Sequence, residues 1–459
     1  MRKLFDSIHF GPLDIMPSVM ENVNVHVNVM MNARKDLLMD MPLTPRLIHA
    51  VPPQLGTYLR PNRVDHKALL AFIAEGTPAG LEGIVFDPTL DSIHTELRDE
   101  ARERKIEAVL DTRAMELALE GGYVGSRCAL PWAGEEMHRT DSLRGEAGRD
   151  CAKRITDWMA PRRYCSVLAP THYLAAGAAD PWFAVDRDLT IALRAALDAA
   201  GLAAVPIYYP LAIKGEAFFD ARQREQFRLA LTSLPVDAIW LRVQPFGSRS
   251  GGNVVRKYIR ACADLHSSAL PLVAEKSGTT GLALLAFGAV GGIESGITIG
   301  EHFDANSLIS RREGGKPFTP QARVYITALQ TFMSKQQARP FFDNRTLRTY
   351  FACKDRCCPR GSDDMIMYPK RHFLLRRTAE ISRLSALPET VRASRYMEEI
   401  LRPATDQMAK AVKAAEHLET TRQRLDMLRS VLGAILEDSQ PVSFSAVPEG
   451  KRIQTRRGA

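Results

Sequence analysis

Between residues 46 and 300 the chain repeats one pattern: a short apolar run followed by a longer stretch of helical periodicity. Eight runs fall at 47–51, 83–86, 107–110, 165–169, 203–208, 238–243, 270–274 and 290–298. Helical stretches at 65–75, 90–105, 114–120, 187–200, 220–231, 254–266 and 280–287 lie between them. Short apolar runs separated by amphipathic helices are what buried parallel strands with crossover helices require. Eight such units over about 250 residues match a TIM (β/α)8 barrel. A doubly wound open sheet is the alternative, because periodicity does not report closure. The fold class expected is therefore α/β, a TIM barrel, with a C-terminal extension that is helical and, by Cys353, Cys357, Cys358 and His372, zinc-binding.

Polar residues recur where these runs end: Asp87, Asp111, Thr171 with His172, Lys214, Gln244, Glu275 with Lys276, and Glu301. In a barrel they converge on one rim, where barrel enzymes carry their chemistry. In any α/β protein strand ends also turn polar simply because they meet water. Residues 121–161, rich in Gly with Arg127 and Trp132, are longer than an ordinary connection and predict a lid or substrate-contacting insertion, or a segment packed on the barrel exterior.

Composition excludes several classes. With 45% hydrophobic and 25% charged residues the chain is neither disordered nor fibrous. Its most apolar stretch, 280–293, is broken by four glycines and is too short to cross a membrane. The N-terminus has an acidic residue among its first six and no apolar core, so neither a secretory signal nor a transit peptide is expected. A cytoplasmic location follows.

The charge is unevenly placed. The whole chain has 61 Lys+Arg and 53 Asp+Glu, a net of +8. From Ser307 onward there are 28 and 16, a net of +12, which leaves 33 and 37, a net of −4, for residues 1–306. The expected organisation is an N-terminal β segment at 1–45, in which 22–29 alternates strictly, and a barrel at 46–306. A basic zinc-binding subdomain at 307–385, a helical appendage at 386–438 and a basic tail at 439–459 follow. In the appendage, helices are expected at 374–387 and 389–436, interrupted at Pro403, with Leu425, Leu428, Val431, Leu432 and Ile435 forming an apolar stripe.

Of seven cysteines, Cys128, Cys151, Cys165 and Cys262 are scattered and read as small buried apolar residues. Cys353, Cys357 and Cys358 lie within six residues and are followed by His372. Three thiols and an imidazole can close a tetrahedral Zn2+ site, the cation offsetting the repulsion between thiolates. Redox-active or merely buried thiols are the alternatives. A closed four-ligand site would be structural.

A barrel of eight βα units followed by a Cys3His cluster and then helices resembles the tRNA-guanine transglycosylase family and its DNA-modifying relatives, over roughly residues 46–385. The resemblance implies a zinc subdomain that helps hold a polynucleotide and a pair of active-site carboxylates. The family's Asp-Ser-Gly-Gly-Phe motif is absent. Its nearest counterpart is Leu110-Asp111-Thr112-Arg113, and near the last strand the chain offers Glu294 and Asp304. The family's first two cysteines are also closer together than Cys353 and Cys357.

Base exchange at a glycosidic bond needs one carboxylate to attack or shield an oxocarbenium carbon and an acid/base group for the leaving base. Asp111 with Glu294 is the first candidate catalytic pair, with Asp87 and Glu275 behind it. Arg242, Gln244 and Lys276 are candidate substrate-binding residues, Arg through a planar donor fork and Gln as both donor and acceptor. A buried Arg242 paired with a carboxylate is the competing expectation. The Ser277-Gly278-Thr279-Thr280-Gly281 turn either binds a phosphate or is simply tight. Around the cysteines, Arg311, Arg312, Arg348, Lys370 and Arg371 are candidate nucleic-acid contacts, with aromatic residues interleaved among them.

Two functions of different class follow. One is a base-modifying enzyme acting on DNA or tRNA. The other is a non-catalytic nucleic-acid-binding subunit that engages a protein partner through its C-terminal helices. A small-molecule barrel enzyme is a third.

Overall fold

A computed structural model of the chain describes residues 56–309 and 321–438. Eight parallel strands close in chain order: β1 Gly56–Arg60, β2 Leu81–Phe86, β3 Glu107–Asp111, β4 Ser166–Leu168, β5 Ile207–Lys214, β6 Ala238–Gln244, β7 Leu272–Glu275 and β8 Gly292–Gly296. Closure comes from β8 pairing back on β1, with Gly56 opposite Gly292 and Arg60 opposite Gly296. The sheet is thus the barrel and not the open alternative. One expectation needs correcting. The run at 47–51 lies outside the described residues, and the barrel closes without it, taking its first strand five residues beyond that run. The alternating segment 22–29 and the tail 439–459 also lie outside the described residues.

The period of two along each strand builds the barrel interior in layers. Val85, Val109, Leu168, Trp240 and Val273 form one inner cluster, with Tyr58 and Tyr208 packed against it. Beneath it Glu107, two residues before Val109, accepts hydrogen bonds from the Tyr58 hydroxyl (3.1 Å) and the Tyr208 hydroxyl (2.6 Å). Two residues further along the strands, the inward positions turn charged: Arg60 after Tyr58, Asp111 after Val109, Arg242 after Trp240, Glu275 after Val273. Glu294 is in register with Glu275 on the neighbouring strand. Strand alternation alone therefore delivers these charges to the C-terminal end of the barrel.

Helices α1 His66–Ala74, α2 Asp91–Glu103, α3 Glu146–Met159, α4 Pro181–Ala199, α5 Ala221–Thr232, α6 Gly252–Leu265 and α7 Gly281–Ala286 accompany the strands. Local chemistry explains their starts. Asp180 caps α4 by accepting from the Trp182 N–H with Pro181 at the first position, and Asp220 caps α5 through Gln223. Leu189, Leu193 and Leu197, spaced four apart, are the buried face of α4. The expected insertion at 121–161 is shorter than anticipated. Its second half is α3, the helix of the third βα unit packed beside α4, so only residues 118–145 are additional.

Beyond the barrel come a hairpin of β9 Val324–Ile326 and β10 Thr331–Met333, then α8 Lys335–Asp343, α9 Arg345–Phe351, α10 Ser362–Met367 and α11 Pro369–Ser385. A reciprocal capping box between Ser334 and Gln337 starts α8, and Asn344 caps α9. Next, α12 Glu389–Tyr396 runs through a π-helical turn, Met397–Leu401, into α13 Arg402–Ala411. The helix is therefore not interrupted at Pro403. The wider turn immediately before it accommodates a residue that lacks an N–H, and the break falls at 412–418 instead.

The last helix, α14 Glu419–Asp438, lies on barrel helix α6. A Cβ at Gly252 would come 2.8 Å from the Met427 carbonyl oxygen, so glycine permits this approach. Leu425, Leu428, Val431 and Leu432 are buried within the chain. The stripe packs within the chain, on α6, α13 and the 397–401 turn, where each such side chain contributes about 1.5–3 kcal/mol. Among the described residues no helix is long and apolar enough to cross a membrane.

Candidate active site and metal centre

The charged layer forms one network. The Arg60 guanidinium donates from Nη1 to Asp111 Oδ2 (2.5 Å) and from Nε to Glu294 Oε1 (2.9 Å), and its Nη2 lies 3.6 Å from Glu275 Oε2. Opposite it, Arg242 donates from Nε to Glu275 Oε2 (2.5 Å) and from Nη2 to Asp111 Oδ2 (3.0 Å). Glu294 Oε2 accepts the backbone N–H of Lys276 at 3.1 Å. All three carboxylates are at most 3% exposed. Ions this deeply buried persist only when compensated, and here Arg60, Arg242 and, 3.9 Å from Asp111, Arg113 serve the three carboxylates with the Lys276 charge close by.

The surroundings separate the carboxylates. Burial would raise Asp111, but Arg242 and Arg60 outweigh it and hold the group ionised, well below the usual carboxylate range. Glu275 is likewise lowered, burial being outweighed by Arg242 and Arg60. Glu294 is raised: burial is the largest effect, Arg60 opposes it, and the neighbouring Glu275 charge adds to it. Burial lowers Lys276. Two carboxyl groups bridged by one guanidinium are thus shifted in opposite directions, Asp111 down and Glu294 up, an arrangement suited to an ionised partner and an acid.

Turns around the network are strained. Arg113 (φ 58°), Lys276 (φ 50°) and Thr298 (φ 67°) adopt left-handed backbone conformations unusual for such side chains. Arg113 lies 3.0 Å from Glu116 and 3.6 Å from Asp87. Several buried polar atoms here have no hydrogen-bond partner among the described residues: Gln244 Oε1, Ser277 Oγ, Glu116 Oε2 and Thr298 Oγ1. Such atoms are rare in finished cores and common where a polar ligand belongs.

The structure sorts the candidates. Asp111, Glu275, Glu294, Arg242 and Lys276 meet at this rim. Asp87 does not join the Arg60 centre: its Oδ1 accepts the Thr89 N–H (2.9 Å) and hydroxyl (2.7 Å), capping its own helical turn. Arg242 is the buried, carboxylate-paired residue of the competing expectation, with Nε and Nη2 both committed. Gln244 donates to Asp304 Oδ1 at 3.1 Å. The Ser277–Gly281 turn is filled by the chain itself, since the Thr279 N–H donates to Ser248 Oγ and a Cβ at Gly278 would meet that atom at 1.9 Å. Sequence reasoning missed Arg60, Arg113 and Glu116. Tyr58-Leu59-Arg60 has the same apolar-x-charged form as Val109-Leu110-Asp111 and Trp240-Leu241-Arg242, and that signal would have found Arg60.

The second centre is the cysteine cluster. The ligand atoms of Cys353, Cys357, Cys358 and His372 all lie within 4.8 Å of one another. Sulfur separations are 3.4 Å (Cys353 to Cys357) and 3.6 Å (Cys357 to Cys358), and His372 Nδ1 is 3.2 Å from Cys358 Sγ and 3.8 Å from Cys357 Sγ. Four ligands about 2.3 Å from a tetrahedral ion would sit roughly 3.8 Å apart, close to these values. His372 Nε2 faces the Tyr325 carbonyl oxygen at 3.0 Å, which fixes the proton there and leaves the Nδ1 lone pair aimed at the thiols. The group could bind a metal ion.

The expected nucleic-acid contacts divide. Arg311 and Arg312 lie outside the described residues. Arg348 is exposed on α9 beside exposed Arg345 and Tyr350. Lys370 is already engaged, bonded to Asp65 Oδ1 (2.7 Å) and the Val64 carbonyl (2.8 Å), and so ties α11 to the start of α1. Arg371 donates to the Cys357 carbonyl (3.0 Å) and lies 3.6 Å from Glu75. These two residues are structural links first. Of the aromatics nearby, Phe341, Phe342, Phe351 and Phe373 are core, whereas Tyr350 and Tyr368 are exposed.

No family model matches the chain, and no curated protein matches it. Among solved structures it is similar to native xylanase 10B from Thermotoga maritima, at 10% identity over 53% of this chain and 82% of that one, with a TM-score of 0.37. A GH18 chitinase from Pseudoalteromonas aurantia gives 12% identity, 52% and 93% coverage and a TM-score of 0.35. Thiamine phosphate pyrophosphorylase from Pyrococcus furiosus gives 13%, 56%, 92% and 0.26. None of these three is a tRNA-guanine transglycosylase.

Proposed function

We propose that this chain breaks or exchanges an N-glycosidic bond in a polynucleotide, using Asp111 and Glu294 at the barrel rim. The observation that carries the reading is the opposite bias of these two carboxyls, bridged by Arg60. Ionised Asp111 shields the sugar carbon as positive charge develops on it. Glu294 gives its proton to the departing base, which leaves with the electron pair of the broken C–N bond. An incoming base or water then forms the new bond at that carbon and returns a proton to Glu294. Arg242 and Arg60 keep Asp111 ionised throughout.

Zinc is the ion we assign to Cys353, Cys357, Cys358 and His372, by the softness of three thiolates and one imidazole. A closed site of this kind supplies folding energy, not a reactive ligand position. Exposed Arg345, Arg348, Tyr350, Lys354 and Arg356 near it support a phosphate-contacting and base-stacking face.

A non-catalytic nucleic-acid-binding subunit is favoured by one observation: Asp111, Glu275 and Glu294 are all buried and already engaged by arginine. The two readings part in one assay. Mass spectrometry of free bases after incubation with tRNA, duplex DNA, free nucleosides and simple aryl glycosides should detect base release or labelled-base incorporation with a polynucleotide only. Cleavage of an aryl glycoside without base release would overturn the proposal. Tight polynucleotide binding with no turnover would favour the second reading.

A further inference from the structure

A chain of buried polar groups links α4 to the loop 118–145. His172 lies just beyond β4. Its backbone N–H donates to Asp186 Oδ2 (2.9 Å), and its Nδ1 lies 2.6 Å from Asp186 Oδ1. The other ring nitrogen, Nε2, is 3.2 Å from His138 Nδ1, and His138 Nε2 is 2.9 Å from the Trp132 carbonyl oxygen. The Trp132 indole N–H in turn donates to the Thr112 carbonyl at 2.7 Å, in the strained turn between Asp111 and Arg113. His172 stacks on Trp182 with ring centroids 3.7 Å apart. Asp186, His172 and His138 are at most 5% exposed.

Donors and acceptors can be counted along this line. The Trp132 carbonyl only accepts, so His138 Nε2 must carry a proton. A neutral His138 then accepts at Nδ1, which requires a proton on His172 Nε2. A neutral His172 in turn accepts at Nδ1, and the link to Asp186 needs a proton on the carboxyl. The alternative, an ionised Asp186 with one imidazolium, buries two charges. Around Asp186 and His172 stand Asp180, whose carboxylate caps α4, the Tyr209 hydroxyl on β5, Arg187 on α4 and the Trp182 ring. Among the described residues only His172 bonds to the Asp186 carboxyl.

We infer that Asp186, His172 and His138 form a proton-holding latch, with the proton on Asp186, that pins the loop 118–145 down over the barrel end. Burial pushes Asp186 well up and pulls both imidazoles down to about 3, in keeping with the neutral count. The latch does not depend on which reaction the rim performs. Through Trp132 and Thr112 it makes the two histidines positioning residues for the turn that carries Asp111 and Arg113.

The pH dependence has a definite sign. When the loop opens above the ordinary histidine pKa of about 6.5, a hydrated Asp186 loses its proton and both imidazoles stay neutral. The closed state then holds one proton more than the open one, so closure weakens as pH rises, about tenfold per pH unit. Protection factors from hydrogen exchange over residues 121–145 should therefore fall tenfold per unit above pH 7. Asp186→Asn should abolish that slope while keeping the loop protected, because the amide N–H donates to His172 Nδ1 with no proton to lose. A variant whose loop is exposed at every pH, or one with an unchanged slope, would overturn the latch. In the unsubstituted protein, 15N-histidine NMR gives an independent test. His172 should be protonated at Nε2 and bare at Nδ1, and a protonated Nδ1 would contradict the assignment.

Discussion

Cys357→Ser is expected to release the metal ion proposed for its site and to unfold much of the segment from β9 to α11. Zinc-finger peptides gain roughly 10–16 kcal/mol of apparent binding free energy at pH 7, which is folding free energy when the apo site does not persist. Here the four ligands come from the loop between α9 and α10 and from the first turn of α11. Those elements also share apolar contacts through Leu347, Phe351, Met365 and Phe373, so the barrel should survive while the subdomain loosens. His372→Ala should act the same way and additionally leave the Tyr325 carbonyl without its donor. Metal analysis with hydrogen exchange over 324–385 checks both variants. Unchanged protection in fully metal-free protein would show that the thiols are simply buried.

Arg60→Met is expected to destabilise the barrel by about 3–5 kcal/mol, the usual cost of removing one partner from a buried ionic network. Methionine keeps much of the volume but leaves Glu294 without its guanidinium, Glu275 to Arg242, and Asp111 to Arg242 and Arg113. Glu294, already raised by burial, then shifts further upward in the folded state, above an unfolded value near 4. A raised folded value means stability present at acid pH and lost as pH rises through it. The deficit in urea denaturation should therefore be smallest near pH 4 and grow towards neutrality. A small, pH-independent deficit would mean that Arg60 is well solvated and no keystone.

Much of this site is legible in the sequence because the strand period is two. Val109 and Asp111, Trp240 and Arg242, and Val273 and Glu275 must share a face whatever the barrel's details, so three rim charges follow from spacing. Arg60 was hidden because 47–51 is a more continuous apolar run than Gly56-Thr-Tyr-Leu-Arg60, where Thr57 is fully buried despite its hydroxyl. The roles of Asp87 and Lys370 were not legible either. A carboxylate that caps its own turn and a lysine that reaches Asp65 depend on backbone direction and long-range packing, which spacing does not carry. His138 and Asp186 stand 48 positions apart, and only the packing of α4 and the loop 118–145 brings them to His172. The apolar stripe of α14 is legible as a packing surface, but amphipathicity does not say which surface it covers.

The most direct test of the rim chemistry compares Asp111→Asn and Glu294→Gln with the unsubstituted protein, measuring base release and polynucleotide affinity on the same samples. Both substitutions keep the side-chain shape and remove the charge or the transferable proton. Base release is expected to fall about 10²–10⁴-fold in each, with affinity unchanged within twofold. Full activity in both variants would contradict the assignment of the chemistry to these two carboxyls.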